Sequence, residues 1–528
     1  MRIKPTAFIC AFLLFSMASC KKSDTSPSPP PSLASRADMT RDSIFYYAKQ
    51  IYLWNDALPS YEVFNPRKYT FSTTDLDNYN SELFAITQLK INPLTGLPYE
   101  YYSGTRPKYS YIEDIANKNP SAYVPETKSA VDLEGNGNDL GLKLGAYGSN
   151  SNYSLFVTAV YQNSPADKAG MIRSDKISKI NGVAIGVNFD GEKNMINAAF
   201  DAATIQLEGV KYVNGNPGSA FNITLNKAVY KSSPIYSVKV LTAGTKKIGY
   251  LAYARFSVMT NSKSYFDEAF NTFNTAGVTD LVIDLRYNGG GYVNTAQYLT
   301  NLIVPASKNG LVMFSEHYNA TMQNGQAKIL ANQPLLDDNN KIQYQNGKML
   351  TYADVNYSVA SNTEKIEKAG PLQNISNVVF IVSGNTASAS ELVINSLKPH
   401  MNVKLVGTKS YGKPIGFFPV TIENKYDVYF SLFQSKNSKG EGDYFDGFTP
   451  DVIDTFDDPY HNFGDQDENY LVKAINLLAP GSPIVLAKAN TTMSLQGQKN
   501  KVNVLPSLGP VVDGHEFIGM IETKHKVK

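Results

Sequence analysis

Cysteine is scarce in this chain of 528 residues, which holds only Cys10 and Cys20. Both lie close to the N-terminus, so the remaining sequence has no thiol to offer. This excludes a disulfide framework, a cysteine nucleophile and a zinc site built from thiolates for everything that follows Cys20.

The chain also lacks a large excess of charge of either sign. Lysine and arginine number 49 and aspartate and glutamate 47, which gives a net charge of +2, and no long basic run occurs. Bulk electrostatics therefore gives no reason to expect a nucleic-acid partner. The apolar content of 42% is ample for hydrophobic cores, and the length predicts two to four domains.

The first twenty residues contain an apolar run, Ala7–Phe15, that is too short to cross a bilayer. Arg2 and Lys4 precede the run and small residues follow it. This order of basic, apolar and small residues predicts a secretion signal over residues 1–19 rather than a membrane span.

The cysteine that ends this segment carries a second prediction. The sequence MASC resembles the lipobox of bacterial lipoproteins, in which the signal is cut before the cysteine and the cysteine then carries lipid. The resemblance implies lipidation at Cys20, with plain secretion as the alternative. Residues 20–35 are rich in Pro and Ser and are expected to form an extended tether. The expected location is the cell envelope of a bacterium, with the chain held on a membrane by lipid.

Residues 36–130 are predicted to form a helical N-terminal region. Ile44, Tyr47, Ala48 and Ile51 recur at helical spacing, and a second helix is expected around residues 76–89. The aromatic residues here are interpreted as core.

From residue 131 to 240 short strands are predicted. The segment SPADKAGMIRSDKISKINGVAI, residues 164–185, resembles a PDZ domain. Pro165 suits a first helical turn, and Asn181–Gly182 suits a tight hairpin. PDZ domains bind a peptide C-terminus as an added strand, and the resemblance implies that Leu140, Gly141 and Leu142 form the loop that holds its carboxylate. An ordinary strand entry is the alternative for that loop.

Residues 241–480 follow an α/β pattern. Buried strands are predicted at VTDLVIDLR and NVVFIVS. A helix is predicted with Phe266, Phe270 and Phe273 facing inward. Residues 305–371 have weak periodicity and are interpreted as an insertion of unknown role. Residues 481–528 are predicted to form a small β-rich appendage without an assigned function. The expected fold class is multidomain α+β.

The stretch VSGNTASASEL, residues 382–392, places serines between a strand and a helix. Ser388 would gain from the free N–H groups and positive end of that helix. The plainer interpretation is a helix cap, with Ser388 and Glu391 forming a capping box.

A serine nucleophile needs an adjacent base. None of the five histidines, His317, His400, His461, His515 and His525, lies in a recognisable triad motif. Lys413, which lies between Gly412 and Pro414 near aromatic residues, is a candidate because burial depresses a lysine pKa.

These motifs resemble those of the S41 family of C-terminal processing peptidases. The motif residues are TASASEL, the glycine–lysine pair 25 residues after Ser388, and DLRYNGGG at residues 284–291. The resemblance implies Ser388 as nucleophile, Lys413 as general base, and an oxyanion hole formed by the N–H of Ala389 and that of Gly289 or Gly290. It also implies a peptidase core of the ClpP/crotonase-like type, with no metal and no cofactor.

The chain departs from the family pattern at two positions. Some members carry a glutamine four residues after the lysine, where this chain has Phe417, and the lysine is followed by Pro414 rather than glycine. The third catalytic member is therefore unassigned.

The predicted function is a lipid-anchored serine endopeptidase that hydrolyses exported polypeptides, with the PDZ-like domain binding substrate C-termini. Two alternatives remain open. One is a non-catalytic PDZ scaffold on a degenerate peptidase fold, and the other is a carbohydrate-capturing lipoprotein that uses the aromatic residues.

Overall fold

The computed structural model describes residues 34–104, 106–115, 131–337, 341–482, 484–486, 506–512 and 517–528. The predicted signal, Cys20 and nearly all of the tether lie outside these residues. Within the described ranges, no helix is both long and apolar enough to cross a membrane.

The N-terminal region begins with a well-capped helix. Ser35 and Asp38 form a capping box at the start of α1, which buries Ile44, Ala48 and Ile51 as predicted. The elements are α1 Arg36–Ile51, α2 Tyr61–Phe64, α3 Asp75–Thr87, β1 Tyr101–Ser103, β2 Arg106–Pro107 and β3 Tyr111–Asp114.

The sequence predicts a helical region over residues 36–130, but its described part is helical only as far as Thr87. Short strands run from Tyr101 to Asp114. The strands β1 and β2 pair with each other, and β3 joins a three-stranded sheet by pairing with residues 426–429 of the α/β core. The side chains of α1 and α3 belong to the same hydrophobic cluster as that core.

A β-rich domain follows. Its elements are β4 Asn136–Asp139, β5 Leu142–Ser149, β6 Asn152–Val160, α4 Pro165–Lys168, β7 Lys176–Ile180, β8 Val183–Ala184, α5 Phe189–Asp201, β9 Thr204–Val213, β10 Asn216–Asn226 and β11 Ala228–Lys231. The main sheet has the order β10-β9-β7-β6-β5. Pro165 occupies the first turn of α4, and Asn181–Gly182 closes the β7–β8 hairpin with positive φ at both residues. Both local predictions are confirmed.

The third unit is an α/β core that begins at β12 Ile235–Ala243. The elements that follow are β13 Lys246–Tyr253, α6 Met259–Thr275, β14 Asp280–Asp284, β15 Gly290–Tyr292, α7 Val293–Ile303, β16 Val312–Tyr318, α8 Ala320–Gln323, β17 Tyr344–Gln345, β18 Lys348–Met349, β19 Thr363–Lys365, β20 Asn377–Val382, α9 Ala389–Leu397, β21 Asn402–Gly407, β22 Ile415–Gly416, β23 Val420–Ile422, β24 Tyr426–Tyr429, β25 Phe433–Asn437, β26 Val452–Ile453 and α10 Asn469–Leu478.

The central sheet of this core has the order β26-β21-β20-β14-β13-β12. The strands from β26 to β13 are parallel, and β12 is antiparallel at the side of β13. Phe266, Phe270 and Phe273 of α6 are all fully buried, as predicted. The strands β14 and β20 end side by side, so the loops that follow them, with the glycine run and with Ser388, meet at the same edge.

The described parts of residues 481–528 do not form an appendage. The strands β27 Ile484–Leu486 and β28 Ser507–Val512 extend the two large sheets by pairing with β12 and β5, and β29 Gly519–Ile521 forms a two-stranded sheet with β15. A single sequence does not reveal such pairings, because each strand pairs with residues that lie more than two hundred positions earlier in the chain.

Candidate functional site

Ser388 lies in the tight turn between β20 and α9, directly before the first residue of the helix. Its backbone has φ 56° and ψ −107°, a conformation that is strained for a residue with a side chain. The residue is fully buried, and its Oγ has no hydrogen-bond partner among the described residues. Ser388 and Glu391 are placed as a capping box, as the plainer interpretation predicts, and the hydroxyl lies at the N-terminus of α9.

Lys413 lies in a dry aromatic pocket. Its side chain is buried, with Nζ 4.4 Å from the centre of the Phe417 ring and 5.8 Å from that of Tyr109. Burial lowers the pKa of Lys413 to about 7, because charging an amine away from water is costly. The Phe417 ring thus contributes to the desolvation of the lysine.

The Nζ atom of Lys413 donates to a backbone carbonyl, Ile518 O, at 2.8 Å. A longer contact of 3.5 Å joins it to Tyr109 O. Because Ser388 Oγ has no partner, the lysine and the serine are not hydrogen-bonded to each other in this arrangement.

Glu391 connects the two segments that carry these side chains. One of its carboxylate oxygens accepts from the N–H groups of Ser388 at 2.9 Å and Lys413 at 2.8 Å. The other accepts from Ser410 Oγ at 2.6 Å and from the Gly412 N–H at 2.7 Å. Burial raises the pKa of the Glu391 carboxyl, and these four hydrogen bonds oppose that rise. The predicted capping contact from Glu391 to the Ser388 N–H is thus one of four hydrogen bonds that this carboxylate accepts.

The glycine run lies against the serine turn. A Cβ added to Gly290 would sit 3.1 Å from Ala389 N and 2.2 Å from Gly519 O, and the residue has φ 111°, so only glycine fits. The Gly290 N–H donates to Asn288 Oδ1 at 2.9 Å, whereas no acceptor for the Gly289 N–H is recorded within the described residues. Of the two glycines predicted for the oxyanion hole, Gly289 is therefore the one whose N–H group is available as a donor. The other predicted donor is the N–H group of Ala389.

A buried ionic network lies under this loop. Arg286 pairs with Asp284 at 2.7 Å and with Asp457 and Glu468 at 2.8 Å. Arg173 from the β-rich domain pairs with the same Asp457 at 2.7 Å. Despite burial, the two guanidinium groups lower the pKa of Asp457 to about 2. The network therefore joins the β-rich domain to the loop that precedes the glycines.

Sequence reasoning missed the contribution of the N-terminal region. Glu100 is fully buried and accepts from the N–H groups of Tyr109 and Ser110, and the Tyr109 hydroxyl donates to Gly412 O at 2.7 Å. These residues form one wall of the lysine pocket. They lie about 300 positions before Lys413 in the chain, and no local pattern in the sequence links them to it.

The remaining predicted residues lie elsewhere. Leu140 and Leu142 are buried in the hydrophobic cluster of the β-rich domain, and the Gly141 N–H donates to Asp139 Oδ1 at 2.6 Å. His515 and Cys20 lie outside the described residues. The other four histidines interact with groups other than Ser388. Three form hydrogen bonds: His317 with Ser315, His400 with the Val312 carbonyl, and His461 with Asp458. The His525 ring packs against Tyr352 and Phe418.

Comparison with known proteins connects this site to one family. Residues 247–453 match the profile of Peptidase family S41. The chain is 23% identical over 398 residues to a "Probable CtpA-like serine protease" of Staphylococcus aureus (strain N315), an alignment that covers 72% of this chain and 67% of the relative. It is 24% identical over 323 residues to a chloroplastic C-terminal processing peptidase of Tetradesmus obliquus, with 59% of each protein covered.

A solved structure shares the fold. The crystal structure of a Bacteroides fragilis protein assigned as an S41 protease superposes with a TM-score of 0.56 at 22% identity. The superposition covers 86% of this chain and 98% of the other.

The Glu391 arrangement gives a testable expectation. Glu391→Gln replaces one acceptor oxygen with an NH₂ group that faces backbone donors, so we expect the free energy of unfolding to fall by about 1–3 kcal/mol. Urea denaturation measures this fall. Glu268→Gln, which alters an exposed glutamate on α6, is the matched control and should change stability by less than about 0.5 kcal/mol. Equal stability of the two variants would show that the carboxylate does not hold the site together.

Proposed function

We propose that the chain is a serine peptidase of family S41, in which Ser388 is the nucleophile and Lys413 the general base. The observation that carries the proposal is the position of Glu391. One buried carboxylate oxygen holds the backbone N–H groups of both residues, which fixes the two segments within the same pocket.

The proposed reaction is acyl transfer. Lys413, neutral near pH 7, takes the proton of Ser388 Oγ as the oxygen attacks a peptide carbonyl. The N–H groups of Ala389 and Gly289 stabilise the oxyanion that forms. Lys413 then protonates the leaving amine, and water hydrolyses the acyl-enzyme. A pKa of about 7 suits both proton transfers, because the lysine is neutral often enough to accept a proton and acidic enough to return it.

The proposed substrates are exported polypeptides that are recognised through their C-termini. The name of the Tetradesmus obliquus relative refers to C-terminal processing, and the PDZ-like features of residues 164–185 fit a domain that binds chain ends. The Arg173–Asp457–Arg286 connection offers a route by which peptide binding at that domain would influence the glycine loop.

The proposed location is the bacterial cell envelope, with the chain attached to a membrane by lipid on Cys20. The support is the order of the first twenty residues, in which basic and apolar residues precede MASC. The following Pro/Ser-rich stretch is long enough to separate the folded part from the membrane surface.

The dyad is tested by hydrolysis of casein and of peptides with free C-termini. We expect Ser388→Ala and Lys413→Ala each to lower kcat by about a thousandfold or more, because each removes a reacting group. Lys409→Ala removes an exposed lysine four positions earlier and should retain activity. Equal hydrolysis by wild type and both dyad variants would refute the assignment.

The pH dependence tests lysine as the base. Lys413 must be neutral to accept a proton, and its pKa lies near 7. We therefore expect kcat/KM to fall about tenfold per pH unit on acidification below pH 7 and to level off above it. Circular dichroism at each pH separates this loss from unfolding. A flat profile from mildly acidic to alkaline pH would argue against a lysine base.

The anchor is tested by membrane fractionation of expressing cells. Cys20→Ala removes the lipidation site, so we expect the protein to move from the membrane to the soluble fraction. Cys10→Ala, which alters the other cysteine inside the signal, should leave the protein on the membrane. Retention of the Cys20→Ala protein would show a different mode of attachment.

A further inference from the structure

The last twelve residues of the chain, 517–528, run through the candidate active site as an extended segment, here called the tail. Its strand β29 pairs in parallel with β15, directly after Gly289, and the Gly519 N–H donates to Gly289 O at 3.0 Å. On its other side the tail bonds to Phe417, whose N–H donates to Met520 O and whose carbonyl accepts from the Glu522 N–H. The tail is thus a strand inserted between the glycine loop and the segment that follows Lys413.

A peptidase must hold its substrate as an extended chain beside the nucleophile, and adding a strand to existing backbone is a common way to do so. On the proposed function, we infer that β15 and Phe417 form the substrate-strand site of the peptidase and that the tail occupies this site as a tethered inhibitor. The ligand of the site is therefore an extended polypeptide held mainly through its backbone.

The state of the proposed dyad agrees with an inhibited enzyme. Lys413 Nζ donates to Ile518 O of the tail, and Ser388 Oγ has no hydrogen-bond partner in the part of the chain that the structure describes. The lysine is thus engaged by the tail rather than by the serine whose proton it would accept. The tail must leave before substrate can enter and before Lys413 can turn to Ser388.

The predicted insertion holds the far end of the tail. The Asn356 N–H donates to Lys526 O at 2.8 Å, the Lys528 N–H donates to Asp354 O at 3.0 Å, and Lys526 pairs with Glu364 at 2.8 Å. Met520, in the middle of the tail, is fully buried in the main hydrophobic cluster. The predicted insertion, residues 305–371, therefore binds the far end of the tail.

One contact opposes docking. Glu522 of the tail is buried beside Glu316 of β16, and two carboxylates this close cannot both be ionised without repulsion. Tyr318 donates to Glu316, the Lys524 N–H donates to Glu522, and Glu364 lies nearby with its charge paired to Lys526. Burial raises the pKa of Glu522 to about 7. Docking therefore keeps its full strength at acidic pH, where Glu522 is protonated, and weakens as pH rises through 7.

Two full-length variants should shift activity in opposite directions at pH 8. Met520→Lys places a charge in the buried part of the tail and should raise kcat/KM for a peptide substrate about tenfold or more by releasing a tethered competitor. Glu522→Gln removes the repulsion and should lower kcat/KM below that of wild type. Met349→Lys, which makes the same substitution at an exposed methionine on β18, is the matched control and should match wild type.

A synthetic peptide with the tail sequence FIGMIETKHKVK provides a second measurement. We expect it to inhibit the Met520→Lys enzyme competitively, whereas the peptide with lysine in place of Met520 should not inhibit. Unchanged kcat/KM in both full-length variants, or no inhibition by the tail peptide, would overturn the inference.

Labelling of Ser388 by a serine-directed fluorophosphonate separates this inference from the proposed function. If the tail inhibits, Met520→Lys should be labelled faster than wild type. Equal labelling rates in an active enzyme would refute the tail and leave the nucleophile standing. Absence of labelling at Ser388 in wild type and in Met520→Lys would refute the proposed function itself.

Discussion

The arrangement of the site depends on one buried carboxylate. Glu391 accepts the backbone N–H groups of Ser388, Gly412 and Lys413, and so ties the turn after β20 to the loop after β21. Neither loop has regular structure of its own at these residues. The carboxylate supplies the acceptors that their buried donors need, since an unpaired buried N–H group costs about as much as a lost hydrogen bond. The position of the serine relative to the lysine follows from this constraint.

Desolvation of the lysine is the second physical element, and it comes from three parts of the chain. Phe417 lies just after the lysine, Tyr109 comes from the N-terminal region, and Ile518 from the tail. Within the described residues no carboxylate is hydrogen-bonded to Nζ. Burial therefore outweighs the charges of Glu100 and Glu391, which favour the charged amine, and the pKa of Lys413 falls. The pocket is therefore compatible with the proposed role of Lys413 as a general base.

Much of the core could be predicted from local patterns in the sequence. The inward phenylalanines of α6, the buried strands β14 and β20, Pro165 at a helix start and the Asn181–Gly182 turn all follow from periodicity or turn chemistry. Ser388 and Lys413 were singled out by the resemblance of their motifs to those of the S41 family. The parts that the sequence did not reveal are the ones set by distant pairing. The wall formed by Glu100 and Tyr109, the shared role of Glu391 and the insertion of β29 beside β15 have no local signal, because their partners are decided only in the folded chain.

The central claim is that Lys413 is a neutral base at physiological pH. The most direct measurement is the pKa of its side chain by NMR, from the ¹³Cε shift of the full-length protein labelled at lysine, with Lys413→Arg used to assign the signal. The account predicts a titration midpoint near 7. A midpoint near 10.5, the ordinary value for an exposed lysine, would contradict it.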